Sequence, residues 1–396
     1  GGRSRSGRLA PPRFGLLHYV NDSLSRGKAD DVMLVPVSIA YDQIQDVPDY
    51  TREAQGRAKE KESIRWLFKA VRSLRKRYGD IHVRFGEPIS LKSMTSGAET
   101  DEESIVLQKV AFEAMRRIGE ATPITPISVL SIALLAERGT ARDADHLAAS
   151  CSRLLDFIEK RSLEMTEDTD LRDPKALEGL LDWLVETGGA SSHEAGGRRV
   201  YWLDDTQMIQ LSYYRNVVLH FFVPRAMAEM ALASGAKDPE DLVDRMLALR
   251  DLLKFEFFFA EREQFAREID ADLALDCPDW RAVLVDRGPE GVLEALGKRL
   301  SPWALLPILD AYQVVGNELE EWKGEVVEKK FLAACLARAR LYRLEGRLIH
   351  GESVSQVAFK SALKLAENRG LLDDPSGRAA FAEELRQARR SAAVDV

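Results

Sequence analysis

The chain has 396 residues, 45% of them hydrophobic and 30% charged, with a formal net charge of −8; this is the balance of a globular protein with core enough for two or three domains. Up to Arg84 it carries 17 Lys and Arg against 10 Asp and Glu, and beyond it 39 against 54, so the first part can attract anions while the acidic remainder excludes a general nucleic-acid binder. Cys151, Cys277 and Cys335, three in number and far apart, form neither a disulfide framework nor a metal motif, and the longest apolar run, Ile127 to Ala136, is far too short to span a membrane.

Gly1 to Arg8 reads Gly-Gly-Arg-Ser-Arg-Ser-Gly-Arg. Glycines let backbone N–H groups turn inward and guanidinium forks match phosphate oxygens in pairs, so the stretch has the makings of a phosphate cradle. Its other reading is a solvated terminus, and Gly1 to Arg13 is expected to be poorly ordered when it lacks partners.

Phe14, Leu17, Val20 and Leu24 recur at helical spacing, and Gly27 closes that segment. Val32 to Ala40 reads as a buried strand, apolar almost throughout, with an irregular or edge position at Pro36, which cannot donate to a ladder. Ile64, Leu67, Phe68, Val71 and Leu74 predict a second helix, and Ile81, Val83 and Phe85 alternate as a second strand. Strand, helix and strand in that order predict a βαβ unit, and residues 1–100 an α/β domain.

From about Glu102 the pattern is helical. Helices are predicted over Ile105 to Ile118, Pro126 to Glu137, Leu147 to Ile158 and Leu177 to Val185. The Gly-rich, then aromatic stretch Ala190 to Leu203 predicts a hairpin, giving a small winged-helix-like module over 141–204 inside a mostly helical region 101–396. Such a module acting on DNA would need a Lys/Arg-rich recognition helix, which is absent here.

Gly2-Arg3-Ser4-Arg5-Ser-Gly-Arg8-Leu and the strand Val35-Pro36-Val37-Ser-Ile39-Ala-Tyr41 together resemble two consecutive motifs of the glycerol-3-phosphate acyltransferases. The likeness is to the large bacterial membrane-associated branch. Lys59-Glu-Lys-Glu62-Ser63, Val83-Arg-Phe-Gly-Glu-Pro88-Ile, Ile124-Thr-Pro126-Ile-Ser-Val and Leu211-Ser-Tyr-Tyr-Arg-Asn216-Val-Val-Leu-His220 continue it in order. The family's chemistry belongs to a His-x-x-x-x-Asp motif upstream of these. Here the residues five places after His18, His82, His146, His193, His220 and His350 are Ser23, Glu87, Cys151, Arg198, Arg225 and Ser355, so the motif is absent. The resemblance is thus to the C-terminal portion of such an enzyme, expected to be inactive by itself.

The resemblance implies transfer of a fatty acyl group from acyl-CoA or acyl-carrier protein to the sn-1 hydroxyl of glycerol 3-phosphate at the cytoplasmic face of a membrane, making lysophosphatidic acid, with no cofactor or metal. Arg3 and Arg5 would contact the acceptor phosphate, with Ser4 and the backbone of Gly2 in support. Arg8 would be a lesser contact or a tether to an acidic neighbour, and Pro36 with its flanking valines would shape the acyl side of the site or form simple core. Lys59 to Ser63 could guide the donor or form a solvated loop. Tyr213, Tyr214, Arg215, Asn216 and His220 could line a tunnel or form a buried, hydrogen-bonded packing helix. Leu219 to Ala233 and Phe255 to Phe259 could rest on a bilayer or lie in the core. The readings of a different class are a noncatalytic lipid-surface scaffold and a winged-helix interaction protein.

Overall fold

Helices dominate the computed structural model, which describes residues 2–4, 6–41, 80–96, 103–137, 139–166 and 170–393, and its sheets are small. Helix α1 (Gly15–Ser25) leads into β1 (Met33–Leu34) and β2 (Val37–Tyr41), which pair with β4 (Ile89–Ser90) and β3 (Ile81–Phe85). Both pairings are antiparallel, from Val37 opposite Phe85 to Tyr41 opposite Ile81. This corrects the βαβ expectation, since a crossover unit joins parallel strands. The helix predicted over Ile64 to Leu74 lies outside the described residues.

The ladder breaks at Pro36, as its missing N–H requires; the Pro36 carbonyl still accepts from Gly86 N at 2.8 Å. Val32 to Ala40 is not buried throughout. Ser38 and Ala40 face inward, whereas Val37, Ile39, Tyr41, Ile81, Val83 and Phe85 are all exposed. Successive strand residues point to opposite faces, and here the small residues sit against the helical layer.

That layer begins with α2 (Leu91–Thr95), α3 (Glu103–Glu120) and α4 (Pro126–Ala136). The Thr125 side chain accepts from Ser128 N at the start of α4, Pro126 occupies its first turn, and Ile127 to Leu135 are all buried. A helix apolar on every side must be surrounded, and α4 packs on α5 (Ala144–Lys160), which the Asp143 side chain caps, and on α7 (Asp205–Val218). Between these two lie α6 (Pro174–Glu186) and the hairpin of β6 (Ser191–Ala195) and β7 (Arg198–Trp202), with the short β5 (Arg142–Asp143) on the other side of β7. Asp204 and Gln207 form a reciprocal capping box at the start of α7.

The remainder is helical: α8 (Val223–Ala233), α9 (Pro239–Leu252), α10 (Arg262–Asp276), α11 (Trp280–Leu296), α12 (Ser301–Ala304), α13 (Leu306–Glu321), α14 (Glu328–Leu344), α15 (Gln356–Asn368) and α16 (Arg378–Ala393). The centre is α13, flanked by α14, α15 and α16. Gly316 lets α16 approach, because a Cβ there would stand 2.8 Å from Leu385 Cδ1 and 3.3 Å from Ala382 Cα. Leu219 to Ala233 is almost wholly buried, and Phe257 and Phe259 are buried too, so these apolar stretches are core rather than bilayer contacts. None of the described helices is long and apolar enough to cross a membrane.

Candidate functional site

Of the stretch expected to be poorly ordered, the described residues Gly2–Ser4 and Ser6–Ala10 bond to one another and seat on α7. Ser4 N donates to Arg8 O at 2.7 Å, Gly7 N to Ser4 O at 3.0 Å and Ala10 N to Gly2 O at 2.8 Å. Gly7 has a φ of +86°, and a Cβ there would lie 2.2 Å from Tyr213 O. The loop is thus pressed against the α7 backbone where only glycine fits. Asn216 Nδ2 donates to Ser6 O at 2.8 Å.

Arg3 reaches inward from this loop. Its Nη2 donates to Thr122 Oγ1 at 2.7 Å, and Nη1 to Gly7 O at 3.2 Å and Val217 O at 3.4 Å. Thr122 Oγ1 donates in turn to Ile118 O at 2.9 Å, leaving its lone pairs for Arg3 and for Ser38 Oγ, 2.8 Å away on β2. One hydroxyl therefore ties the loop, α3 and the strand ribbon together. Burial lowers the Arg3 pKa to about 10, so the guanidinium remains charged at neutral pH. Among the described residues no carboxylate pairs with it.

A cavity of about 280 Å³ opens beside Arg3, lined by Gly2, Val37, Ile39, Tyr213 and Tyr214 among others. Its lining combines one cation with mostly apolar and hydroxyl-bearing side chains. Gly2 and Arg3 are thus brought to one site. Ser4 instead shares a hydrogen bond with Ser6, 2.8 Å between hydroxyl oxygens. Arg8 turns away and pairs with the buried Glu256, the tether reading. Pro36 is buried beneath Gly86 and is absent from the cavity lining, which takes the β2 residues Val37 to Tyr41 instead. Arg5 and Lys59 to Ser63 lie outside the described residues.

The α7 motif divides. Tyr213 and Tyr214 line the cavity with their rings edge to face. Arg215, 1% exposed, holds Glu352 with both terminal nitrogens and donates to Trp303 O at 3.2 Å. Burial pushes the Glu352 carboxyl up, but the charge and hydrogen bonds of Arg215 outweigh it and hold it below the usual range. His220, just beyond the helix, donates from Nε2 to Gly119 O at 2.8 Å. Burial first, and the nearby Arg3 charge second, lower its pKa to about 3, so it is neutral. Sequence reasoning missed Thr122, for a lone threonine at the end of a helix carries no pattern of its own.

A family model described as "Glycerol-3-phosphate acyltransferase C-terminal region" matches residues 50–374. A Mycobacterium bovis protein named "Putative acyltransferase plsB1" is 33% identical over 409 residues, covering 98% of this chain and 66% of its own length, and a Mycobacterium tuberculosis protein of the same name matches equally. A "Glycerol-3-phosphate acyltransferase" of Aeromonas hydrophila is 32% identical over 288 residues, covering 69% of this chain and 35% of its own length. The chain therefore spans 66% of the length of its mycobacterial relatives.

Proposed function

Because this chain belongs to the glycerol-3-phosphate acyltransferase family, we propose that it holds the acceptor in a glycerol-3-phosphate 1-O-acyltransferase. The observation that carries this reading is Arg3: a half-buried, charged guanidinium lining a cavity, with no acidic partner among the described residues. A partly desolvated cation without an acidic partner is costly, and a dianionic phosphate in the cavity would relieve it with bidentate hydrogen bonds. None of the bonds Arg3 makes to described residues uses its Nε–H. Arg5 would complete the clamp from the same loop.

In the reaction, the sn-1 hydroxyl oxygen attacks the thioester carbonyl of acyl-CoA or acyl-carrier protein. The carbon–sulfur bond breaks, and the proton leaves through a base as the thiolate departs. Arg3 fixes the phosphate end of the acceptor, and the tyrosines with the β2 wall present an apolar surface to the acyl chain. The neutral His220 is committed to Gly119 O and serves packing rather than proton transfer. Residues 1–396 carry no His-x-x-x-x-Asp. The base belongs to that motif in the family, so this stretch alone is inactive. The amphiphilic product favours a peripheral position on the cytoplasmic face of the membrane.

The test is a pair of Arg3 variants in a protein that includes the upstream motif. Losing a charge-assisted hydrogen bond costs about 1.5–3 kcal/mol, so Arg3→Ala should raise the KM for glycerol 3-phosphate roughly ten- to a hundredfold and leave that for palmitoyl-CoA unchanged. Arg3→Lys should recover part, keeping the charge but not the fork. A shift in the acyl-CoA constant alone would assign Arg3 to the coenzyme phosphates, and no shift in either would remove the clamp.

A further inference from the structure

A second cavity, of about 250 Å³, lies along the later turns of α4 and shares no lining residue with the Arg3 cavity. Its wall is apolar: Ile132 of α4, Leu154 and Phe157 of α5, Leu296 of α11 and Trp303 of α12. That wall is braced from behind. Phe157 stacks on Phe222 at 5.0 Å between centroids, Phe222 meets Trp303 edge-on at 5.3 Å, and the Arg161 guanidinium covers Phe157 at 3.7 Å. A braced apolar wall stays open rather than collapsing.

The polar lining has one sign in excess. Arg153, Lys160, Arg225, Lys298 and Arg299 face Asp156 and Asp276. Asp156 is engaged by Arg172 at 2.9 Å, and the Asp276 carboxylate is shared by Lys160, Arg161 and Arg225. Burial pushes Asp276 up, but these cations prevail and bring its pKa down to about 2, so its single negative charge is permanent and already divided. Glu229 takes up Arg225 from the other side, at 3.2 Å. Arg153 is exposed and hydrogen-bonded to Ser150 Oγ at 2.9 Å, and Lys298, 57% exposed, reaches Glu137 outside the lining at 3.3 Å, so the positive charge at the solvent end rests on Arg153, with Lys298 shared.

We propose that this cavity binds a single-chain anionic amphiphile, its tail against the Leu154–Phe157–Trp303 wall and its headgroup at Arg153 and Lys298. A fatty carboxylate and an alkyl phosphate monoester share this chemistry. The site is independent of the Arg3 assignment, and its occupation would bear on α4, whose first turn forms part of the Arg3 cavity.

Calorimetry on residues 1–396 with decanoate, decyl phosphate, decanol and inorganic phosphate tests this. Decanoate or decyl phosphate should bind at one saturable site at least tenfold more tightly than decanol or phosphate, the tighter of the two identifying the headgroup. Ala136→Trp, filling the cavity from the half-buried end of α4, should weaken binding at least tenfold. The exposed-charge variant Arg153→Gln with Lys298→Gln should weaken the anions about tenfold and leave decanol unchanged, and it serves where the tryptophan variant fails to fold. Equal binding of decanol and decanoate, equal binding of phosphate alone, no saturable binding, or insensitivity to both variants would each overturn the proposal.

Discussion

Asn216 and Ser6 stand 210 positions apart in the chain, yet the Asn216 amide donates to the Ser6 carbonyl at 2.8 Å. The same asparagine accepts from Arg215 Nη2 at 2.8 Å, so a link runs from Glu352 through Arg215 and Asn216 to the arginine loop. The helical region is thereby the seat of that loop. Asn216→Ala leaves the Ser6 carbonyl and Arg215 short of partners, and should cost about 1–3 kcal/mol of stability by urea denaturation. An unchanged midpoint would show that the loop does not depend on this bond.

Two glycines of the loop should answer differently. Gly7→Ala combines a positive φ with a collision against the Tyr213 backbone, which a rigid helix cannot relieve, whereas a Cβ at Gly2 meets nothing within 4 Å. Trypsin should cut the first ten residues of the Gly7→Ala variant faster than those of wild type, with Gly2→Ala matching wild type. Equal rates for both variants would place the loop elsewhere.

His220 should make stability fall in mild acid. Its folded pKa of about 3 lies below the unfolded value near 6.5, so the neutral form's contribution is complete above that value and is lost as pH falls toward 3. By pH 5 the loss is about 2 kcal/mol. A non-titrating His220→Gln variant should lose correspondingly less between pH 7 and pH 5. Parallel stability curves for the two proteins would refute the depressed pKa.

Arg8 and Glu256 form a buried pair between the loop and the segment after α9. Arg8→Ala strands the carboxylate and should cost about 3–5 kcal/mol, while Arg8→Ala with Glu256→Ala should recover part of it. Additive losses in that double-mutant cycle would show that the pair is not coupled. If Arg3 holds the acceptor as proposed, then in a protein that includes the upstream motif the acceptor KM should change far less for Arg8→Ala than for Arg3→Ala.

Periodicity, caps and punctuation determined the helices that were legible in advance. Thr125-Pro126 starts α4 and the Ala190 to Leu203 stretch folds as a hairpin, because these signals act over a few residues. Pro36 likewise announced its interruption, since a missing N–H is a local fact. The arginine-rich loop was legible as chemistry but not as structure. Its order comes from Tyr213 O, Asn216, Thr122 and Val217, contacts more than a hundred positions away that no local pattern encodes. Tertiary structure alone separated Arg3, which meets a cavity, from Arg8, which meets a carboxylate, although both are arginines of one short motif. It also decided that Val37 and Ile39 are left exposed while Ser38 is buried, because hydrophobicity favours burial in general, but the pairing partner and the packed helix determine which strand face is covered.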